Sequence, residues 1–438
     1  MMTDDRLPGA GLPRFVTLTD EQIERIHQAS LKILSETGIV LQHGEALKLV
    51  KEAGARVDDE DQRAWIPPDV VTDSLEKAPR SFVVASGGDE SLDAHMGMDG
   101  GIYTRPAGGL DFIIDAGARK RRKVMLEDAV NWVRVTHALP HISVCNGAFP
   151  WDVPLASREV QVVKIMLEYT DKPIMISGLS GPGMRWIGEL LKVVPGRQPR
   201  AMVLTSVNSP LIYGQGQIDV LLVSAEIGIP VNVNSSAVAG ATSPVTMAGT
   251  LAVMNAEMLA AIVLSQLAHP GSPIVYAGHP LVMDMKTGLA AFGYSEAGLI
   301  ASACIDIGRY YGLPTGSDGV QTDSPIPDAN AAIDKMFTGY TPFMAGANIN
   351  AGAGSLAALS TVSLEQLVID DDIYARIYRH MRGITVDDDT LALEVIDRVG
   401  PSGHYLGDKH TVRHFREEYE LSSVANRLNA ATWEDRGG

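Results

Sequence analysis

Seven short apolar runs, each closed by a small or polar cluster, recur along the middle of the chain: Ile142–Ala148, Pro173–Gly178, Ala201–Asn208, Pro230–Ser236, Pro273–His279, Leu313–Gly319 and Pro342–Ala347. An eighth candidate, Gly101–Pro106, precedes them. Neighbouring runs start roughly 28 to 43 residues apart, room for a strand, a helix and two turns. Eight such units predict an α/β fold, a parallel TIM (β/α)8 barrel, whose chemistry belongs at the carboxyl ends of the strands. An open doubly wound sheet is the alternative. Yet no G-x-G-x-x-G follows a strand, GLSGPG at 178–183 has the wrong spacing, and the P-loop pattern does not occur.

The flanks read differently. Residues 1–80 are expected to form a helical extension. Thr19 opens a first helix in which Ile23, Ile26, Ile33 and Leu34 recur at helical spacing, a second runs from Glu45 to Ala53, and Pro67-Pro68 opens a third. Residues 81–125 read as a β-rich platform closing one barrel end, residues 126–363 as the barrel, and residues 364–438 as a charged helical tail. Within the barrel, long helices are expected at Arg158–Glu168, Gln217–Glu226, Pro244–Leu267, Tyr294–Tyr311 and Ala329–Phe337.

Charge and cysteine content narrow the function. A net charge of −17 argues against nucleic acid, because phosphate binding needs basic patches. The one basic cluster, Arg119–Lys123, reads as a solvated turn or interface. Two cysteines, Cys145 and Cys304, rule out a disulfide framework and a zinc–thiolate motif. The first 15 residues lack an apolar signal core and no run of about 20 apolar residues stands out. The expectation is a cytoplasmic protein without membrane association. The tail suits an interface, and a homo-oligomer is expected.

The predicted strand ends supply the candidate site: Tyr103 and Arg105, Asn146, Ser177, Ser206 and Asn208, Asn232, Asn234 and Ser235, Tyr276 and His279, Asp318, and Asn348. This is a neutral, hydrogen-bonding mouth. A metal-dependent barrel enzyme would place several His, Asp or Glu residues there, and only His279, Glu296 and Asp318 qualify. Each Asn or Ser also has a plain reading as a turn cap, and His279 reads equally as a turn histidine. Tyr294 and Glu296, at a helix start in FGYSE, offer a π-face and a negative charge to a quaternary ammonium, although a carboxylate there also suits the helix dipole. Asp323 and Asp328 read as loop and N-cap residues. His410 and His414 share a helix face at zinc-ligand spacing, with Asp408 or His404 as the third ligand, but a structural role is the stronger reading. Cys145 has no identifiable base.

In this order the segments ILSETGI, AWIPPDVVTDSLEKAPRSF, YTRPAGG, FGYSE, GLPTGSDG, SLEQLVIDDDI and GHYLGDKHTVRHFRE resemble the corrinoid-dependent trimethylamine methyltransferase family, in particular its members without pyrrolysine. The resemblance spans nearly the whole chain. It implies a barrel mouth that accepts a methylated amine and a separate corrinoid protein whose cobalt takes the methyl group. It implies no tightly bound metal of the chain's own. A quaternary nitrogen already carries its charge, so the leaving amine needs no general acid, in keeping with a mouth poor in acid–base groups. Gly312–Asp334, where the pyrrolysine is expected, holds only standard residues. That turns the expectation from trimethylamine to glycine betaine or a related betaine. Tyr294, Glu296 and Asp318 are then the catalytic candidates. Tyr103, Arg105, Asn146, Ser206, Asn208, Asn234, Tyr276, His279 and Asn348 are the substrate-binding ones. One departure stands out: AGANINAGAGSL at 345–356 holds small residues where betaine-type members are expected to carry a histidine and a bulky aromatic, which implies a roomier pocket. A metal-dependent barrel enzyme and a non-catalytic quaternary-amine binder remain the alternatives.

Overall fold

A computed structural model describes residues 14–115, 117–118 and 120–437. Residues 1–13, and with them most of the segment read for a signal core, lie outside that description, as does Arg119 of the basic cluster. Eight parallel strands form one sheet: β1 Tyr103–Pro106, β2 Cys145–Asn146, β3 Ile174–Ser177, β4 Ala201–Ser206, β5 Val231–Ser235, β6 Ile274–Gly278, β7 Thr315–Asp318 and β8 Ile349–Ala353. They pair in the order β1-β8-β7-β6-β5-β4-β3-β2. The sheet nearly closes on itself, because the backbone N–H groups of Ser143 and Val144 both donate to Thr104 O at 2.9 Å. The helices α1 Leu126–Ala138, α2 Leu155–Tyr169, α3 Gly181–Val193, α4 Gln215–Ile227, α5 Met247–Ala268, α6 Ser295–Tyr310, α7 Ala329–Ala345 and α8 Leu364–Arg382 follow the strands in turn.

Two expectations are corrected. Pro342–Ala347 is not a strand: it is the last turn of α7, ended by Gly346 in the left-handed region (φ +86°). The eighth strand is the small-residue run Ile349–Ala353. Helix α8, read with the tail, packs on α1, α7 and β8 as the eighth barrel helix.

Side chains alternate across each strand, and the inward set sorts by height. Tyr103, Val144, Met175, Met202, Val275 and Ile349 form an apolar plug at the amino end, joined by Val84, Ala94 and Met96 of the hairpin Ser81–Val84/Ala94–Gly97. Polar side chains begin one layer higher. Burying the amino-end layer seals the barrel there, so the carboxyl-end mouth is the working face.

The N-terminal helices Asp20–Lys32, Gly44–Glu52 and Pro68–Lys77 pack on α5. Thr19 closes the expected capping box with Gln22. Helix α5 is the one described helix long and apolar enough to cross a membrane, yet most of it is buried inside the protein. Its outer face is covered by the extension and its inner face by β5 and β6.

Candidate active site

Strands β1, β5 and β7 end in inward-pointing polar residues that meet at the mouth. Asp318 is the centre. Arg105 Nη2 donates to Asp318 Oδ1 at 3.0 Å, His279 Nδ1 lies 3.0 Å from Oδ2, and Asn234 Nδ2 donates to Oδ2 at 3.4 Å. The Asp318 side chain is only 7% exposed. Burial alone would raise its pKa, but the charges of His279 and Arg105 outweigh that and hold the carboxyl down at about 2. It is a fixed anion held by three partners and carries no proton near neutrality.

Around it stand asparagines. Asn232 Nδ2 donates to Asn234 Oδ1 at 2.9 Å. Gly316 leaves space for Asn232, since a Cβ there would sit 2.9 Å from its Oδ1. Asn146, on β2, accepts from Gly147 N at 2.8 Å, and Gly108 of the YTRPAGG turn permits its position, because a Cβ at 108 would overlap the amide at 2.0 Å. Several buried polar atoms here have no partner among the described residues: Arg105 Nε, His279 Nε2, Asn146 Nδ2, Asn232 Oδ1 and Gln321 Nε2. Buried polar atoms are almost always paired, so this concentration at the mouth marks a place for a polar ligand.

An aromatic wall adjoins the cluster. The Phe292 ring lies 4.9 Å from the His279 ring, tilted 33°. Asp323 fixes that loop by accepting from Phe292 N and Gly293 N, both at 2.9 Å. Behind Asp318, a cavity of about 10 Å³ is lined by Pro280, Phe292, Gln321 and Thr338, space for about one water. A larger ligand does not fit there.

The structure brings together Arg105, Asn146, Asn234, His279 and Asp318 of the expected set, with Ser206 beside Asn234 in register. The others lie elsewhere. Tyr103 belongs to the plug at the opposite end, its hydroxyl accepting from His95 N at 2.8 Å. Tyr276 points outward, its hydroxyl donating to Asn255 of α5 at 2.9 Å. Asn348 precedes β8 and ties Gly97 O, Gly101 O and Thr315 N together below the mouth. Asn208 is exposed and holds Gln217. Tyr294 and Glu296 are exposed on the rim, apart from Asp318's partners. Phe292, Gln321 and the positioning role of Asp323 escaped the sequence reading. Phe292 opens the FGYSE segment, where a lone aromatic before a helix start has the plain reading of a packing residue.

Other candidates settle as structure. Cys145 and Cys304 are fully buried, and burial pushes both thiols up to about 12. Asp328 caps α7, accepting from Ala331 N at 2.8 Å. His410 and His414 do converge with a carboxylate, but it is Asp389, 3.2 Å from His414 Nε2, rather than Asp408 or His404. Arg413 reaches the same carboxylate, and Asp408 instead pairs with Arg398 at 2.6 Å. In the basic cluster, Arg122 is neutralised by Asp115 and Asp128, while Lys123 stacks on Trp151.

Known proteins bear on this geometry. The family model described as trimethylamine methyltransferase (MTTB) matches residues 3–438. A glycine betaine methyltransferase of Desulfitobacterium hafniense (strain Y51) is 31% identical over 434 residues, covering 97% of this chain and 90% of that one. A trimethylamine methyltransferase MttB of Desulfitobacterium hafniense (strain DSM 10664 / DCB-2) is 33% identical over 435 residues, covering 98% and 86%. Among solved structures, the Methanosarcina barkeri monomethylamine methyltransferase MtmB superposes with a TM-score of 0.59 at 11% identity, covering 86% of this chain and 77% of that one. At that identity the likeness speaks for the barrel fold alone. With a family match over almost its whole length and a barrel whose mouth carries the polar cluster, the chain belongs to the trimethylamine methyltransferase (MTTB) family and is a methyltransferase.

Proposed function

We propose that the chain moves a methyl group from a quaternary amine, glycine betaine or a bulkier betaine, to the cobalt(I) of a corrinoid carried by a partner protein. The observation that carries this reading is the state of Asp318. The carboxyl at the centre of the mouth is held ionised between Arg105 and His279, so it has no proton to give a leaving amine. A quaternary ammonium leaves as a neutral amine without one. The bound corrinoid supplies the nucleophile; the barrel binds, orients and excludes water.

Phe292 and the carboxylate of Asp318 suit the trimethylammonium group through ring face and charge. The unpartnered Arg105 Nε and His279 Nε2 are placed to meet the substrate's own carboxylate. Ala351, in register with Asp318 on β8, adds only a methyl group to the lining, which fits a bulkier substrate. The rim suits a docked macromolecule: Leu179, Val245, Met247, Met285, Leu289 and Tyr294 are exposed on segments that follow β3, β5 and β6. The relatives named for glycine betaine and for trimethylamine support the reaction class, and the standard residues throughout Gly312–Asp334 favour the former substrate.

The test is methylcobalamin formation from free cob(I)alamin with a panel of betaines and tertiary amines. The expected result is turnover with one betaine, none with trimethylamine, and a KM raised about tenfold in Phe292→Ala, the scale of losing one cation–π contact. Betaine binding by calorimetry without any methyl transfer would instead make the chain a binder. Turnover with trimethylamine alone would overturn the substrate assignment.

A further inference from the structure

The segment 384–437 is helical yet unburied. Residues 384–437 form the helices Asp388–Leu391, Leu393–Val399, Lys409–Glu418 and Ala430–Asp435, yet no described residue beyond Met381 is buried. Thirteen large apolar side chains between Ile384 and Trp433 stand exposed, among them Ile384 at 85% and Leu406 at 84%. Short helices hold in water through packing of an apolar face, not through propensity. Among the described residues, these helices are given no such face to pack on by their own chain. The few ties back to the barrel are polar, such as Arg379 to the Glu418 carbonyl at 2.6 Å and carboxylate at 3.2 Å.

The whole surface carries the same signal. A folded monomer of 46.8 kDa exposes about 16,000 Å² by the scaling of surface with mass. This chain exposes 19914 Å². Subtracting a full unfolded-chain area of about 2,000 Å² for residues 1–13 still leaves an excess of about 1,900 Å². A stable protein–protein interface covers about 800 Å² on each partner. The excess is therefore the size of a real interface.

We propose that the segment 384–437 is an intermolecular arm that packs on a second copy of this chain, against the apolar strip on the outside of α6 and α7. That strip consists of Ile333, Met336 and Phe337, which share one face of α7 by their spacing, with Leu299 on the adjoining α6; all four are exposed. Three observations favour a second copy over another partner. The arm leaves the barrel at the end of α8, on the side away from the mouth, so a protein serving the mouth does not cover it. Its exposed residues are of the large apolar kind that obligate interfaces bury, and such a surface needs a permanent occupant. The same chain carries the uncovered receiving strip, which is what self-association in closed symmetry requires.

The experiment is sedimentation velocity of the full chain at micromolar concentration, with hydrogen exchange on the same samples. The wild-type chain is expected to be oligomeric, with amides of 409–418 protected. Leu406→Glu with Val412→Glu in the arm, and separately Phe337→Glu on α7, are each expected to give monomer and remove that protection. All three positions are exposed within one chain, so each variant should keep its barrel circular dichroism. A monomeric wild-type chain would overturn the proposal, as would an oligomer that survives the arm substitutions. Dissociation by Phe337→Glu with the arm still protected would also overturn it, because the arm would then pack elsewhere.

Discussion

At the scale of single residues, Asp318 decides the chemistry of the mouth, and its energetics make a prediction. Replacing it by Asn leaves Arg105 and His279 facing each other in a nearly closed space, a change that typically costs about 3–5 kcal/mol. The pH dependence has a definite sign. The folded-state pKa, about 2, lies below the ordinary value of 3.8. The carboxylate's contribution is therefore complete above about pH 4 and drains away as pH falls toward 2. In urea unfolding, the gap between wild type and Asp318→Asn should be full at pH 6 and shrink across that acid window. A gap that stays constant down to pH 3 would mean that the ion pairs do not stabilise the fold. This residue was legible in the sequence because GSDG follows a strand-like run, and a strand end in a barrel faces the mouth. Tyr103, Tyr276 and Asn348 were not placed correctly for a physical reason. Parallel barrel strands are buried on both faces, so their near-continuous apolar pattern hides which residues point inward. Tyr276 differs from its inward neighbour Ala277 by one position, and nothing in IVYAG marks the phase.

Among the elements, α7 shows how a local rule misleads. Pro342–Ala347 has the apolar run and small-residue close of the true strands, and proline is uncommon inside helices. Here it sits in the last turn of α7, buried against the barrel just before Gly346 ends the helix. The true strand, INAGA, has too little side chain to advertise itself. Of the long helices, α4 and α6 lie within a residue or two of their expected ranges, whereas α7 runs on to Ala345, past its expected end at Phe337. What locks α7 in place is also invisible in sequence. Lys335 is fully buried and donates to Val320 O at 2.6 Å and to Asp370 of α8 at 2.8 Å. Asp370 accepts in addition from Gly354 N at 2.7 Å and Gln366 Nε2 at 2.8 Å. Burial pushes the lysine down and the aspartate up, so each ion depends on the other. Lys335→Met should lower stability by about 3–5 kcal/mol, since it strands a buried charge. Adding Asp370→Leu should recover much of that loss, because the stranded charge is then gone. Urea midpoints of the two variants check it; a double variant no better than the single one would show that the pair is not the clasp between α7 and α8.

For the molecule as a whole, the question is whether the N-terminal extension is a separate unit. The sequence pattern set residues 1–80 apart as helical. The packing of residues 14–80 does not. One continuous apolar cluster runs from Ile23, Leu34 and Val71 of the extension through Leu259 and Val263 of α5 to Val231 and Ile274 of the barrel strands. A chain of polar contacts crosses the same boundary: Asn255 Nδ2 donates to Ser30 Oγ at 3.0 Å and to the Tyr311 hydroxyl at 2.9 Å, and that hydroxyl lies 2.8 Å from His27 Nδ1. On the other side, Glu257 of α5 accepts from Ser235 Oγ at 2.5 Å, at the end of β5 next to Asn234 of the mouth. Helix α5 is apolar all round, as a helix buried on every side should be, and without the extension its outer face would meet water. Extension and barrel should therefore melt as one cooperative unit. Val71, fully buried on the helix that covers α5, gives the test. Val71→Asp is expected to cost about 3 kcal/mol or more through a buried unpaired charge. The loss should appear equally in Trp65, which reports the extension, and in Trp132, which is buried in the barrel. Calorimetry should show a single transition moved to lower temperature. An early transition confined to Trp65, with the barrel melting at its original temperature, would make the extension an independent domain and would detach α5's cover from the integrity of the mouth.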